Sequence, residues 1–298
     1  MPPRTRACDD GGVDVVIRRA RPADERDVRA AVRTIWGGQD RVPALFDRWV
    51  THRTGPFFVA EVDGRVVAMG KLTVVGEREA WLEGGRVAPR WRRKGLATAL
   101  IAHRLAYAAK RGFTLARFST ASDNVPIHRA ARRFGFRRAR AYVRYEARAA
   151  RGEPPRRARP NDAPAILRLA GPYVRIPAGW EWRALTVSDV RLAIARGRAF
   201  VAGERAVRAA AIVGRADEDS LPVIALGGSG RELRELLAGL RGEAARRGSK
   251  RVSLYAADPA ARRAAAAAGY RRPWSGAAYL YEKSLRPRAG SGPSPGRR

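Results

Sequence analysis

The stretch Gly85-Arg86-Val87-Ala88-Pro89-Arg90-Trp91-Arg92-Arg93-Lys94-Gly95-Leu96-Ala97-Thr98-Ala99-Leu100-Ile101 constrains the fold of this chain more than any other. It reads as the end of a strand, a basic glycine-containing loop and the first turns of a helix. Leu96, Leu100, Ile101, Leu105 and Ala108 recur at helical spacing, so an amphipathic helix begins where the loop ends. The first turn of a helix carries unpaired N–H groups and the positive end of the helix dipole, which together attract anions. Gly95 and Ala97 leave room for a phosphate beside that backbone, and Arg92, Arg93 and Lys94 add charge. The segment is a diphosphate cradle in prospect.

Two common cradles do not fit. A dinucleotide-binding loop needs G-x-G-x-x-G after the first strand and an acidic residue about 20 residues on. A P-loop needs Lys then Ser or Thr after its glycines, whereas Lys94 precedes Gly95. The pattern [QR]-x-x-G-x-[GA], filled by Arg92, Gly95 and Ala97, resembles the acetyl-CoA signature of the GNAT (acyl-CoA N-acyltransferase) superfamily. Asn124, eleven residues before Gly135-Phe136, resembles that superfamily's second hallmark. Upstream, Phe57 to Gly70 forms two apolar runs around Asp63-Gly64, a hairpin signature. These features stand in the order expected of the superfamily.

The second half repeats the first. Arg18-Arg19-Ala20-Arg21-Pro22 returns as Arg156-Arg157-Ala158-Arg159-Pro160, and Asp24 falls on Asp162. Phe58-Val59-Ala60 returns as Phe200-Val201-Ala202, Gly135-Phe136 as Gly269-Tyr270, and Tyr145-Glu146 as Tyr281-Glu282. Each half alternates strands and helices. The expected class is α+β: two tandem GNAT-like folds, each a mixed, mostly antiparallel sheet flanked by helices. The resemblance adds that the sheet splays after the fourth strand to admit the pantetheine arm. Expected boundaries are a tail at 1–12, an acetyltransferase domain at 13–149, a linker at 150–160, a second domain at 161–285 and a tail at 286–298. The second copy is degenerate: Leu226-Gly227-Gly228-Ser229-Gly230-Arg231-Glu232 lacks the basic triplet, and Asp258-Pro259 replaces Asp123-Asn124.

Composition bounds the rest. The chain has 298 residues with one cysteine and three histidines, which argues against disulfide frameworks and metal sites built from cysteine or histidine. No apolar run reaches membrane-spanning length, and no signal-peptide core precedes the first strand, so a soluble, cytoplasmic protein is expected. The formal net charge of +32 has two readings. One is a coding bias toward arginine with nonspecific stickiness; the other is a polyanionic partner such as nucleic acid.

Transfer of an acetyl group from acetyl-CoA to a primary amine needs an anchor, an oxyanion donor, a base and an acid. The anchor is Arg92, Arg93, Lys94, Gly95, Leu96, Ala97 and Thr98. The resemblance assigns the oxyanion donor to the backbone N–H of Val87, the base to Glu83 on the fourth strand, and contact with the pantetheine arm or a catalytic water to Asn124. Glu83 alternatively pairs with an arginine, and Asn124 alternatively caps the helix that Pro126 begins. The superfamily's usual acid position holds Ala131, so the acid is unassigned; Tyr107, Tyr142 and Tyr145 have no specific claim. Ile35 to Trp49 and the Glu83-Gly84-Gly85-Arg86-Val87-Ala88-Pro89 string are similar to the histidine N-acetyltransferase-like branch, which implies a free amino acid or similar small amine as acceptor. Trp36, Phe46 and Trp49 at helical spacing read as core packing, with a substrate cage as the alternative. Acetylation of a protein amine, and a non-catalytic polyanion-binding role on the same scaffold, are the alternatives.

Overall fold

The computed structural model describes residues 14–51, 54–176 and 179–286. The expected tails, apart from Arg286, lie outside them, as do Cys8 and His52. Contacts divide the chain into two compact units, one made of Met1–Phe118, Ala130–Arg137 and Glu282–Arg298, the other of Ser119–Arg129 and Arg138–Tyr281. The boundaries drawn from the repeat remain our proposal for the covalent duplication.

The chain opens with β1 (Val16–Arg19), α1 (Glu25–Val32), α2 (Val42–Thr51), β2 (Phe57–Val62), β3 (Arg65–Gly76) and β4 (Glu79–Val87). Then come α3 (Leu96–Lys110), β5 (Leu115–Ala121), α4 (Val125–Arg133) and β6 (Arg137–Arg148). The sheet of the first unit runs β1-β2-β3-β4-β5. All its pairs are antiparallel except β4 with β5. The hairpin turns at Asp63-Gly64, both with positive φ, as a tight two-residue turn requires.

Period-two alternation explains why β2 is apolar nearly throughout. Phe57 and Val59 pack toward α1 and α2 with Val28, Val42, Phe46 and Trp49. Phe58 and Ala60 pack on the opposite face with Leu96 and Leu100 of α3. Both faces are covered, so neither register of the strand exposes an apolar row. β4 pairs with β5 only from Glu79 to Trp81, then runs on alone along that edge to Val87. That is the expected splay.

The second half of the chain supplies β7 (Arg156–Arg157), α5 (Ala163–Leu169), β8 (Tyr173–Ile176), β9 (Glu181–Ala184), α6 (Val187–Ala195) and β10 (Ala199–Ala202). It continues with β11 (Ala209–Val213), β12 (Ser220–Gly228), α7 (Gly230–Arg246), β13 (Arg251–Ala256), α8 (Pro259–Ala267) and β14 (Ala278–Ser284). The sheet of the second unit runs β14-β6-β13-β12-β11-β10-β7, with β12 and β13 parallel. Its core repeats the alternation: Phe200, Ala209 and Ala211 face α7, while Val201, Ala210 and Ile212 face α5 and α6.

The repeated Arg-Pro motif has a physical basis. In the first unit Asp24 accepts the Arg21 N–H at 2.7 Å and the Arg18 guanidinium at 2.7 and 2.8 Å, closing a 3₁₀ turn that Pro22 opens. In the second, Asp162 accepts the Arg159 N–H at 2.7 Å and Arg156 at 2.9 Å around Pro160. Burial alone would raise the Asp24 carboxyl, but the Arg18 bonds and the Arg21 N–H hold it below its ordinary range. Proline supplies the fixed φ, arginine the counter-charge, and aspartate closes the turn.

Candidate active site

Unit one assembles its candidate residues along one continuous segment. β4 carries Glu83 and ends at Val87, opposite Ala68 of β3. A 3₁₀ turn, Pro89–Trp91, follows, and α3 starts at Leu96. Between them Arg93 has φ of 64° and Gly95 of 75°. These left-handed residues turn the loop sharply into the start of α3. The first intrahelical bond is Ala99 N–H to the Gly95 carbonyl at 2.9 Å, which leaves the Leu96, Ala97 and Thr98 N–H groups outside the helical ladder. Leu96 is buried and locks the helix start to the core, while Ala97 is exposed. A side chain on Gly95 would meet nothing within 4 Å, so the space in front of the loop is open. Arg92, Arg93 and Lys94 are exposed, and among the described residues none forms an ion pair; Lys94 lies over the Trp91 ring at 4.7 Å. N–H groups outside the helical ladder, open space and three exposed cations fit a diphosphate.

Glu83 sits at a bulge. Lys71 pairs with Glu83 and Met69 with Arg86, so β4 has one residue more than β3 across this step. Gly84 absorbs it with φ of 62°, and a Cβ there would lie 2.5 Å from the Trp49 ring. The bulge breaks the strict alternation that would put Glu83, Gly85 and Val87 on one face. The half-buried Glu83 carboxylate accepts a hydrogen bond from the Thr73 hydroxyl. Among the described residues it forms no ion pair. An arginine does serve Glu83, but through the backbone: Arg104 Nη1 donates to the Glu83 carbonyl at 3.3 Å and to that of Lys71 at 3.2 Å, and Nε donates to Leu100 at 3.1 Å. Burial lowers the Arg104 pKa to about 10, with the Glu83 charge opposing the shift. An arginine within the apolar stripe of α3, four residues after Leu100, was the available sequence signal.

The helices before the hairpin divide the expected aromatic set. Phe46 and Trp49 are core residues, packed edge-on against Phe57 at 6.2 and 5.2 Å. Trp36 is not: it is 65% exposed, in a 3₁₀ turn, with φ of 50°. Helical spacing fails there because no continuous helix joins Trp36 to Phe46. Instead the Arg86 guanidinium stacks on Trp36 at 4.3 Å, held by its Nε at 2.5 Å from the buried Asp40 carboxylate. Asp40 also accepts the Val42 N–H at 2.8 Å and so fixes the start of α2.

Asn124 belongs to the other compact unit. Its carbonyl accepts the Ile127 and His128 N–H groups at 3.1 Å each, so its backbone opens α4. Its side-chain amide donates to the Thr120 hydroxyl at 2.9 Å rather than capping the helix. His128 is fixed within that unit: Nε2 donates to the Ser122 carbonyl at 3.1 Å, so Nδ1 accepts from the Tyr281 hydroxyl at 3.0 Å. Ala131, at the usual acid position, is buried. Tyr107 receives Arg19 at 3.1 Å and packs on Phe58, Tyr142 stacks on Trp182 at 4.6 Å, and Tyr145 is buried. Among the described residues no cluster of three or more His, Cys, Asp or Glu could hold a metal, and no helix is long and apolar enough to cross a membrane.

Residues 26–136 match the acetyltransferase (GNAT) family. A histidine N-acetyltransferase of Scomber australasicus is 30% identical over 102 residues, which are 34% of this chain and 30% of that protein. The chain thus matches under a third of its curated relative's length. A GCN5-related N-acetyltransferase from Sphaerobacter thermophilus superposes with a TM-score of 0.61 at 17% identity, over 92% of this chain and 96% of that one. A tandem GNAT protein from the clavulanic acid biosynthesis pathway gives 0.52 at 16% identity, over 92% and 99%. At such identities the two structures show the fold.

Proposed function

Starting from residues 26–136 as an acetyltransferase domain of the GNAT family, we propose that the chain transfers the acetyl group of acetyl-CoA to the primary amine of a small molecule or amino acid. The observation that carries this reading is the open cradle at 92–98, joined through eight residues of loop and strand end to a carboxylate on the splayed strand. The thioester supplies an activated acyl group when bound. Arg92, Arg93 and Lys94 with the N–H groups of Leu96, Ala97 and Thr98 hold its diphosphate. Glu83, oriented by Thr73 and with its backbone fixed by Arg104, accepts the proton of the attacking ammonium. The Val87 N–H stabilises charge on the carbonyl oxygen. The amine attacks directly while both substrates are bound, the new C–N bond replaces the C–S bond, and the CoA thiolate leaves and takes a proton from solvent. The partial likeness to histidine N-acetyltransferase favours an amino acid over a protein amine.

Calorimetric titration of acetyl-CoA into the wild type and into Gly95→Glu tests the cradle. The substituted carboxylate meets open space, so it changes the charge at the diphosphate position without a clash. Saturable 1:1 binding lost in the variant is expected. Equal binding in both proteins would mean that the +32 net charge alone attracts the ligand, and the polyanion-binding alternative would replace this reading.

A further inference from the structure

The bulge in β4 brings a second charged side chain to the face of Glu83. Directly opposed residues of antiparallel strands point to the same side of the sheet. One cross-strand row is Phe57, Lys71 and Glu83; another is Val59, Met69 and Arg86. Phe57, Val59 and Met69 all pack in the core with α1 and α2, so both rows lie on that face. Strict alternation would send Arg86, three residues after Glu83, to the opposite face, where α3 packs. The extra residue at Gly84 reverses that parity. Two residues of β3 separate the rows, which is about 7 Å at a strand rise of about 3.4 Å per residue.

Arg86 is pinned on three sides. Its Nε lies 2.5 Å from the Asp40 carboxylate, whose side chain is 1% exposed, and its Nη1 donates to the Gly85 carbonyl at 2.9 Å. The Trp36 ring covers the guanidinium at 4.3 Å. Trp36, Gly37 and Gly38 all have positive φ, so the chain turns sharply here and presents the indole to Arg86 rather than to the core. The Arg86 side chain is 19% exposed, and among the described residues its Nη2 amino group has no partner. A guanidinium has five N–H donors in a planar fork, and two of them are used here. With its orientation already fixed, little ordering remains for an incoming anion to impose.

Resting on the acetyl-transfer reading above, in which Glu83 takes the ammonium proton, we propose that Arg86 receives the α-carboxylate of a free amino-acid acceptor. The nitrogen and nearer carboxylate oxygen of an α-amino acid lie about 3 Å apart, and a hydrogen bond at each end extends the span to at most about 9 Å. Rows about 7 Å apart on one face suit that span. An amine at a protein N-terminus or on a lysine side chain is followed by an amide carbonyl or an alkyl chain, and neither offers Arg86 a charge. The residue therefore selects free amino acids over protein amines and over amines that lack the carboxylate. Asp40 and Trp36 are positioning residues that act through Arg86.

The twenty L-amino acids, their carboxamides and a short peptide with a free N-terminus are assayed as acceptors by thiol release from acetyl-CoA. Each accepted acid is also titrated by calorimetry into the full chain saturated with CoA. Free acids should exceed their carboxamides by about 10–10²-fold in kcat/KM, as loss of a charge-assisted hydrogen bond implies, although the carboxamide's amine gives up its proton more readily. Arg86→Met should lower kcat/KM for the acid by a similar factor, through KM and with matching loss of binding, and leave the carboxamide unchanged. Because that change strands the buried Asp40 carboxylate, the acid–carboxamide comparison is made on the wild type and holds whatever the variant does to folding. Trp36→Leu, which removes an exposed ring, should raise KM for the acid about threefold or more and leave the carboxamide unchanged. Equal turnover of acid and carboxamide, turnover of the peptide alone, or an acid preference retained in folded Arg86→Met would overturn the role of Arg86 while acetyl transfer stands. Thiol release with none of these amines would overturn the acetyl-transfer reading, and the role of Arg86 with it.

Discussion

Gly84 and Gly95 share a left-handed backbone but differ in what surrounds them, and that difference can be measured. At Gly84, φ is 62° and an added Cβ would lie 2.5 Å from two carbons of the Trp49 ring. At Gly95, φ is 75° and nothing lies within 4 Å. Alanine at either position bears the left-handed strain, about 1–2 kcal/mol. Only Gly84→Ala adds overpacking against a buried indole, about 1–3 kcal/mol more. The expected costs are therefore about 2–5 kcal/mol for Gly84→Ala and about 1–2 for Gly95→Ala, the former a large share of a domain's total stability. Urea unfolding followed by tryptophan fluorescence would read both, with hydrogen exchange on β3 and β4 locating the effect in the first unit. Combining Gly84→Ala with Trp49→Leu removes the clash and leaves the strain, so the cycle should return a coupling of about 1–3 kcal/mol. Equal losses for the two alanine variants, or no coupling to Trp49, would refute the bulge-on-indole reasoning. Because the bulge aims Glu83, Gly84→Ala should also lower activity under conditions where it remains folded.

Three further predictions follow from named contacts. Glu83→Gln should reduce kcat by about 10²–10⁴-fold while leaving acetyl-CoA affinity unchanged, and rate recovery at high pH with the amine already deprotonated would support the base role; an unchanged kcat would remove it. Asp40→Ala strands the Arg86 guanidinium beside a buried position and unties the start of α2, so a loss of about 3–5 kcal/mol is expected in thermal unfolding, against under 1 kcal/mol if the pair is merely superficial. Asp189 has its carboxyl lowered to about 2, burial raising it but bonds from Arg183 and Thr186 prevailing. A depressed native pKa contributes stability that is present above the ordinary value of 3.8 and lost as pH falls toward 2. Asp189→Asn should therefore flatten the acid limb of the stability curve between those values, and an identical limb in wild type and variant would contradict the assignment.

Local chemistry was legible in the sequence. Asp63-Gly64 between apolar runs could turn only one way, and Arg93, Lys94 and Gly95 before an apolar helical stripe announced a loop and helix start within a dozen residues. The Arg-Arg-Ala-Arg-Pro repeat with Asp24 and Asp162 identified two turns whose bonds span six residues at most. Such features are set by neighbours along the chain, so composition and spacing reach them. Tertiary structure decided the rest. Strict alternation along β4 failed because Gly84 takes an extra residue into a bulge that Trp49, 35 positions away, packs against. Trp36 left the core because the chain turns left-handed there, and it found Arg86 fifty residues on. The aromatic box of the second unit joins Tyr142, Arg175, Trp182 and Tyr255 from four different strands. No periodicity encodes these meetings, because each depends on which faces the sheet brings together once the long-range pairings have formed.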